Sequence, residues 1–398
     1  MESKIEVTKS LSKALQSKNY KIIEYEFPEI EFVGGYVAKM INVKVTVEKD
    51  GVKDLLDLLV KSSVNSSEDM FTEAYLNEID VYSKIVSNFD KFAEERGVEK
   101  FRNLPDFYGT SITDDRFVVV LENLVPKGFK VRDLKPLDMD HLKLLLEAYA
   151  KWHAFSFALN DQKPEIFRQL GKRNIELEDW KIADATLTAF EEQIDYLLSL
   201  YEKRDRPDIV RKLRELRKSF KILMKEFLKN TNEEYLVVTH ADVWNNNFLF
   251  KYNEKLEPIE VKIVDWQTAV VGSPMIDIAQ LFFFCCFSQE LNHMDDLLLF
   301  YHNTLSEKIK ELGSNPENCF PREACLKAFK RYAALGIGGM PFLMRMQFNN
   351  IDMSHTYDLV ENDSGNFSSI LGDGVSDLEK FFEQVDAIFD LCIERDLL

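Results

Sequence analysis

Positive charge is in short supply in this chain: 50 Lys and Arg face 68 Asp and Glu, a formal net charge of −18 over 398 residues. That balance repels phosphate backbones and anionic lipid surfaces unless a basic stripe compensates locally. No such stripe occurs, which argues against nucleic acid and membranes as partners. Cysteine is scarce as well: Cys285, Cys286, Cys319, Cys325 and Cys392 are odd in number and confined to the C-terminal third, with no CxxC pair and no His at metal-ligand spacing. A reducing compartment is the simplest reading. Long apolar runs are missing: Leu281 to Phe287 is far too short to span a bilayer, and the start, MESKIEVTKS, lacks the apolar core of a secretory signal. The expectation is a cytoplasmic protein.

What is present is an ordinary globular composition, 45% AVILMFWYC and 30% charged, too apolar for a disordered chain. At roughly 150 residues per domain the length allows two to three domains or lobes. Residues 36 to 47 place Val37, Ile41, Val43, Val45 and Val47 on one parity, which predicts a strand. Asp50-Gly51 supplies a hairpin turn, and Leu55 to Lys61 returns as the next strand. Phe71, Tyr75, Ile79, Tyr82, Val86 and Phe89 then form a helical stripe, and Arg116 to Leu121 reads as a further strand. Beyond Glu122 the pattern turns helical through 142–159, 182–201 and 209–228. That shift places the lobe boundary between residues 1–121 and 122–398. One β interlude breaks the helical half: 235–239, 248–252 and 259–266, read together as a hairpin that holds loop residues in place. Residues 357 to 377, acidic and rich in turn residues, read as a surface loop.

The polar octet His240-Ala241-Asp242-Val243-Trp244-Asn245-Asn246-Asn247 fits HxDxxxxN, and Asp265 follows 18 residues after Asn247. Transfer of a γ-phosphoryl group needs a carboxylate to orient and receive an acceptor hydroxyl, and hard oxygen ligands to hold Mg²⁺ against the phosphates. Asp242 suits the first role, and Asn247 with Asp265 the second. An isolated HxDxxxxN is weak evidence, since such a pattern arises by chance.

The run VVTHADVWNNNFLF, followed by VKIVDWQ and PMIDIA, resembles the ecdysteroid kinase-like family of insects, relatives of choline kinases and aminoglycoside phosphotransferases. Glu78 to Tyr82, LENLVPKGF from Leu121 and AKWHAFSFAL from Ala150 resemble further landmarks in the family's order. The resemblance covers roughly residues 30 to 290. It implies an α+β, two-lobed protein-kinase-like fold, with a β-rich N-terminal nucleotide-binding lobe and a mainly helical C-terminal lobe for catalysis and substrate. It implies ATP and Mg²⁺ as cofactors, Asp242 as catalytic base, Asn247 and Asp265 as metal ligands, and Lys61 on the phosphates with Glu78 as its partner. The backbone of Glu122, Asn123 and Leu124 would meet adenine. The implied reaction is phosphorylation of a small-molecule alcohol, an ecdysteroid or another lipophilic one, including compounds removed by detoxification. Helix geometry favours Glu78 over Glu73, because at about 100° per residue Glu78 lies within the face of Phe71, Tyr75 and Tyr82.

Departures from the family pattern accompany these matches. Ala241 stands where the family commonly has Gly, and Asn123 where relatives carry Asp. Asp265 precedes Trp266-Gln267 and no activation-segment motif follows, which disfavours protein substrates. Gly34-Gly35 matches a Gly-rich phosphate loop poorly. Plainer readings stand beside several residues: Asn246 as an alternative ligand, His240 as a brace of the loop, His153 as a satisfied core histidine, and Asp277 as a helix-entry carboxylate accepting loop N–H groups. Phe282, Phe283, Phe284, Phe342, Met344 and Met346 are candidate walls of the acceptor pocket or plain core. Two rival functions remain: a choline or ethanolamine kinase, whose cation would need an aromatic cage, and a non-catalytic nucleotide or steroid binder of the same fold.

Overall fold

The computed structural model describes residues 4–28, 39–63, 72–113, 116–132, 136–170, 181–229, 234–349, 351, 371–372 and 374–398. Gly34-Gly35 and most of the acidic 357–377 segment lie outside them. The N-terminal part is a five-stranded antiparallel sheet with order β1-β2-β3-β5-β4, built from β1 (Lys21–Glu26), β2 (Lys39–Lys49), β3 (Val52–Ser62), β4 (Phe107–Thr113) and β5 (Arg116–Glu122). Asp50 and Gly51 both have positive φ (53° and 79°) in the β2–β3 turn, the backbone a two-residue hairpin requires. Strand alternation decides what each face covers. Ile41, Val43, Val45 and Val47 join Leu58, Val60, Val118 and Val120 under helix α1 (Lys4–Gln16), which contributes Val7, Leu11, Ala14 and Leu15.

Phe117, Val119 and Leu121 point to the other face, against the helical segment that crosses from β3 to β4. That segment starts as α2 (Thr72–Asp80), widens into one π-helical turn at Val81–Ile85, and continues as α3 (Val86–Arg96). The stripe read as one regular helix is therefore interrupted. Tyr82, Ile85, Phe89 and Phe92 are all buried across and after this wider turn.

Beyond β5 the chain is mainly helical. A short strand β6 (Phe129–Val131) precedes α4 (Met139–Gln162), capped by Asp138, whose side chain accepts from the Asp140 and His141 amides. Then come α5 (Pro164–Leu170), α6 (Lys181–Tyr201) and α7 (Pro207–Lys229). Ring contacts of Phe89 with Trp152 (4.8 Å) and Phe155 (5.4 Å) pack α3 on α4, so one core runs from the helical face of the sheet into the C-terminal part.

The β interlude differs from the expected single hairpin. β7 (Val237–Thr239) pairs with β10 (Val270–Gly272), while β8 (Phe248–Tyr252) and β9 (Pro258–Ile263) form the hairpin, with β6 on its other edge. β9 ends at Ile263, so Asp265 and Trp266 lie beyond the strand. Because Thr239 pairs with Val270 and Phe248 with Ile263, the loops 240–247 and 264–269 start and finish beside each other.

The remainder comprises α8 (Met275–Cys285), α9 (Ser288–Leu291), α10 (Met294–Glu311), α11 (Pro316–Cys319), α12 (Arg322–Asn349) and α13 (Leu378–Glu394). Gly336 lets α12 approach α8 so closely that a β-carbon there would stand 2.7 Å from the Ala279 carbonyl oxygen. All five cysteines are free and buried, and no described helix is long and apolar enough to cross a membrane.

Candidate active site

The two adjacent loops carry Asp242, Asn247 and Asp265. Loop 240–247 is held from beneath by one carboxylate: Asp277, fully buried in the first turn of α8, accepts the backbone N–H of Ala241 at 2.8 Å and of His240 at 2.9 Å. Its Oδ2 also lies 3.0 Å from His153 Nε2, and His153 Nδ1 lies 2.8 Å from the Tyr301 hydroxyl, so both ring nitrogens are partnered. One turn along α8, Gln280 accepts from Val243 N and donates to Ala241 O, both at 3.1 Å. Asp277 and Gln280 are three residues apart, hence on one helix face, and together they hold His240, Ala241 and Val243 on either side of Asp242. Sequence reasoning placed Asp277 but missed Gln280, which its i, i+3 spacing could have flagged. Ala241 adopts a left-handed φ of 61°. A glycine would take that conformation without steric cost; here the buried hydrogen bonds on both sides of Ala241 hold it.

His240 braces the loop. Its Nε2 lies 2.9 Å from Val264 O, its Nδ1 accepts from Asp242 N at 3.2 Å, and its ring meets Trp266 edge-on at 4.6 Å. Asn247 closes the short helical turn Asn245–Asn247 and donates from Nδ2 to both the backbone O (2.8 Å) and Oδ2 (2.9 Å) of Asp242. With its nitrogen committed to Asp242, the Asn247 carbonyl oxygen is the atom left to ligate a cation. Val264 N donates to Asn247 O at 3.0 Å, which joins the two loops directly before Asp265. Burial, with the Asp265 carboxylate adding to it, pushes the Asp242 carboxyl above its ordinary range against the pull of His240, Asn247 and Trp244.

Lys61 and Glu78 meet as expected. Lys61, 6% exposed near the end of β3, places Nζ 2.8 Å from Glu78 Oε2 and 2.6 Å from Asp265 Oδ1; Glu78 is 1% exposed and Asp265 26%. Burial alone would lower the Lys61 pKa, but Asp265 and Glu78 outweigh it and hold the ammonium above its ordinary value. Gln267, which the sequence did not single out, lies between these groups. With its amide oriented to satisfy both neighbours, its nitrogen is 3.2 Å from Asp265 Oδ1 and its oxygen 3.1 Å from Lys61 Nζ. Asp265 and Asn247 offer hard oxygen donors of the type Mg²⁺ prefers. Two such groups suffice where phosphate oxygens and water complete an octahedron.

The hinge after Leu121 is narrower than expected. Glu122 N donates to Asp106 O (2.8 Å) and Asn123 N to Asp57 O (2.9 Å), so both donors belong to the sheet. The Glu122 carboxylate pairs with Lys127, and the Asn123 side chain accepts from Val125 N. Of the three residues, Leu124 keeps an N–H that can turn to adenine. The candidate acceptor walls are core: Phe282 packs on Phe329, Phe283 lies against Gly336, and Phe284 and Phe342 both meet Phe190. Met344 and Met346 are buried too.

A family model described as the ecdysteroid kinase-like family matches residues 33–314. Among solved structures, the chain is similar to a crystal structure of a protein assigned as a fructosamine-3-kinase from Haemophilus somnus 129PT, at 12% identity and a TM-score of 0.34, over 80% of this chain and 97% of that one. A search of curated proteins finds no match.

Proposed function

The chain belongs to the ecdysteroid kinase-like family, and from that membership and the geometry of its two loops we propose an ATP- and Mg²⁺-dependent kinase that phosphorylates a hydroxyl of an ecdysteroid or similar lipophilic alcohol. In this reading the fold is protein-kinase-like, with residues 1–121 as the nucleotide lobe and 122–398 as the catalytic and acceptor lobe. The observation that carries it is the convergence of Asp242, Asn247, Asp265, Lys61 and Glu78, five residues spread over about half of the sequence, at one pair of loops and the strand and helix beside them.

The chain's own groups divide the work. Asp242 orients the acceptor hydroxyl and takes its proton as the oxygen attacks the γ-phosphorus and the bond to the β-phosphate oxygen breaks. Its raised carboxyl pKa makes it a better proton acceptor than an exposed aspartate. Lys61, steered by Glu78, reaches the α- and β-phosphates, and Leu124 N–H meets adenine. Asn247 and Asp265 hold Mg²⁺, which when bound neutralises charge on the phosphates.

Lys61→Met and Glu78→Gln should each lower phosphoryl transfer. Because the two side chains act through one 2.8 Å contact, the double variant should lose little more than the worse single one. Losses that multiply independently in steady-state kinetics would mean the residues do not work as a pair.

The function is tested by an ATP-consumption screen over ecdysteroids, other steroids, plant glycosides, choline and ethanolamine, with mass spectrometry of the products. Lipophilic alcohols should be phosphorylated with a much higher kcat/KM than choline. Choline turnover with no lipophilic alcohol accepted would transfer the assignment to a choline-type kinase. Nucleotide binding with no product from any acceptor would favour a non-catalytic binder.

A further inference from the structure

Asp265 stands in an uncommon backbone state. Its φ and ψ are both 63°, and the turn after it, Trp266–Thr268, is a single three-residue helical turn. A non-glycine residue in the left-handed region is disfavoured relative to glycine, and so short a turn has no cooperative stability of its own. The surroundings must therefore hold both. Trp266 supplies one support, buried 4.4 Å from the Trp152 ring and 4.6 Å from His240. The Thr268 hydroxyl donates to His240 O at 2.8 Å, and Asn77 supplies a further support. Its side-chain Nδ2 donates to Gln267 O at 2.9 Å and to Ala269 O at 2.6 Å. An amide nitrogen carries two hydrogens, so one side chain satisfies both carbonyls of a turn that cannot bond them internally.

Asn77 is the neighbour of Glu78 on α2. One helix thus addresses the Lys61 ammonium with one residue and the Asp265 turn with the next, and the Gln267 side chain lies between Lys61 and Asp265. Displacement of α2 would pull on both contacts together. We propose that Asn77 is a positioning residue: it locks α2 to the turn that carries Asp265, so that the Lys61–Glu78 pair and the metal-ligating carboxylate are set as one unit. The proposal rests on the kinase reading above and assigns a role that neither the family match nor the HxDxxxxN pattern supplies.

The test uses the full chain and four forms: wild type, Asn77→Ser, Asn77→Ala and Asn77→Asp. Serine can keep one donor, alanine none, and aspartate sets a carboxylate against two carbonyl oxygens. Two quantities are read. Hydrogen exchange of the peptide covering 264–269, measured without metal or nucleotide, should quicken in the order Ser, Ala, Asp, while exchange in β2 and β3 stays at the wild-type rate. The Mg²⁺ concentration giving half-maximal binding of a fluorescent ATP analogue should rise in the same order. For Asn77→Ala the rise should be roughly tenfold to a hundredfold, as is usual when a group that orients a metal ligand is lost. Nucleotide affinity in EDTA should fall much less than it does with Mg²⁺ present.

Unaltered exchange at 264–269 and unaltered Mg²⁺ dependence in a folded Asn77→Ala would overturn the proposal. Equal weakening with and without Mg²⁺ would overturn it too, by revealing a general folding role. If Asn77→Asp fails to fold, the serine and alanine variants decide. A wild-type chain without Mg²⁺-dependent nucleotide binding would overturn the kinase reading as well, whereas wild-type binding with unmoved variants removes the Asn77 role alone.

Discussion

Asp265→Ala should abolish turnover, a loss of roughly a thousandfold or more, while the protein stays folded. The carboxylate is the charged member of the proposed metal pair, and its removal leaves phosphate charge uncompensated. Its removal should nevertheless be mild for stability. Lys61 would keep Glu78 at 2.8 Å, so the buried cluster passes from one cation with two anions to a neutral pair, and no charge is stranded. The cost that remains is conformational, because alanine tolerates a φ of 63° less well than aspartate. Asp265→Asn serves as companion: it keeps an oxygen and the backbone preference but drops the charge, and should fall between the two. The measurement is steady-state kinetics on an accepted alcohol together with circular dichroism. A folded Asp265→Ala with normal turnover would sink the metal assignment.

Asp242→Asn should reduce kcat by roughly 10²- to 10⁴-fold, the range for loss of a general base, with nucleotide affinity nearly unchanged. The substitution keeps shape, and the new side-chain oxygen can still accept from Asn247 Nδ2, now at 2.9 Å. The Asn247 contact to the backbone oxygen of residue 242 does not depend on the side chain at all. What disappears is the proposed acceptor for the hydroxyl proton. Titration with a fluorescent ATP analogue beside the kinetics separates the cases. If nucleotide binding collapses in step with kcat, Asp242 is holding the loop and not doing chemistry.

How much of this was legible beforehand differs by kind of information. The β2–β3 hairpin was readable because a period of two and the Asp50-Gly51 turn are local. The choice of Glu78 over Glu73 was readable because helix phase is local too, although the π-helical turn at Val81–Ile85 was not, since no single residue announces it. The partnership of β7 was misread for a related reason. Val237–Thr239 has the composition of a strand, but strand composition names no partner, and β7 bonds to Val270–Gly272 across two intervening strands.

The sequence by itself determined the β2–β3 hairpin, β5 and the longer helices that follow it, the acidic charge balance and the residue types able to move a phosphoryl group, since periodicity, turn chemistry and charge each depend on near neighbours in the chain. Tertiary structure alone decided which groups are already taken. It committed the Glu122 and Asn123 amides to the sheet, turned the six apolar candidates into core, and set Asp277, Gln280, Gln267 and Asn77 around the two loops. Apart from the contact of Gln267 with Asp265, those four act through backbone carbonyls and amides, or through charges, that lie from 36 to 206 residues away in the chain. The physical reason is that a buried polar group must find a partner wherever folding brings one within hydrogen-bond distance, and that distance is a property of packing, which no local pattern encodes.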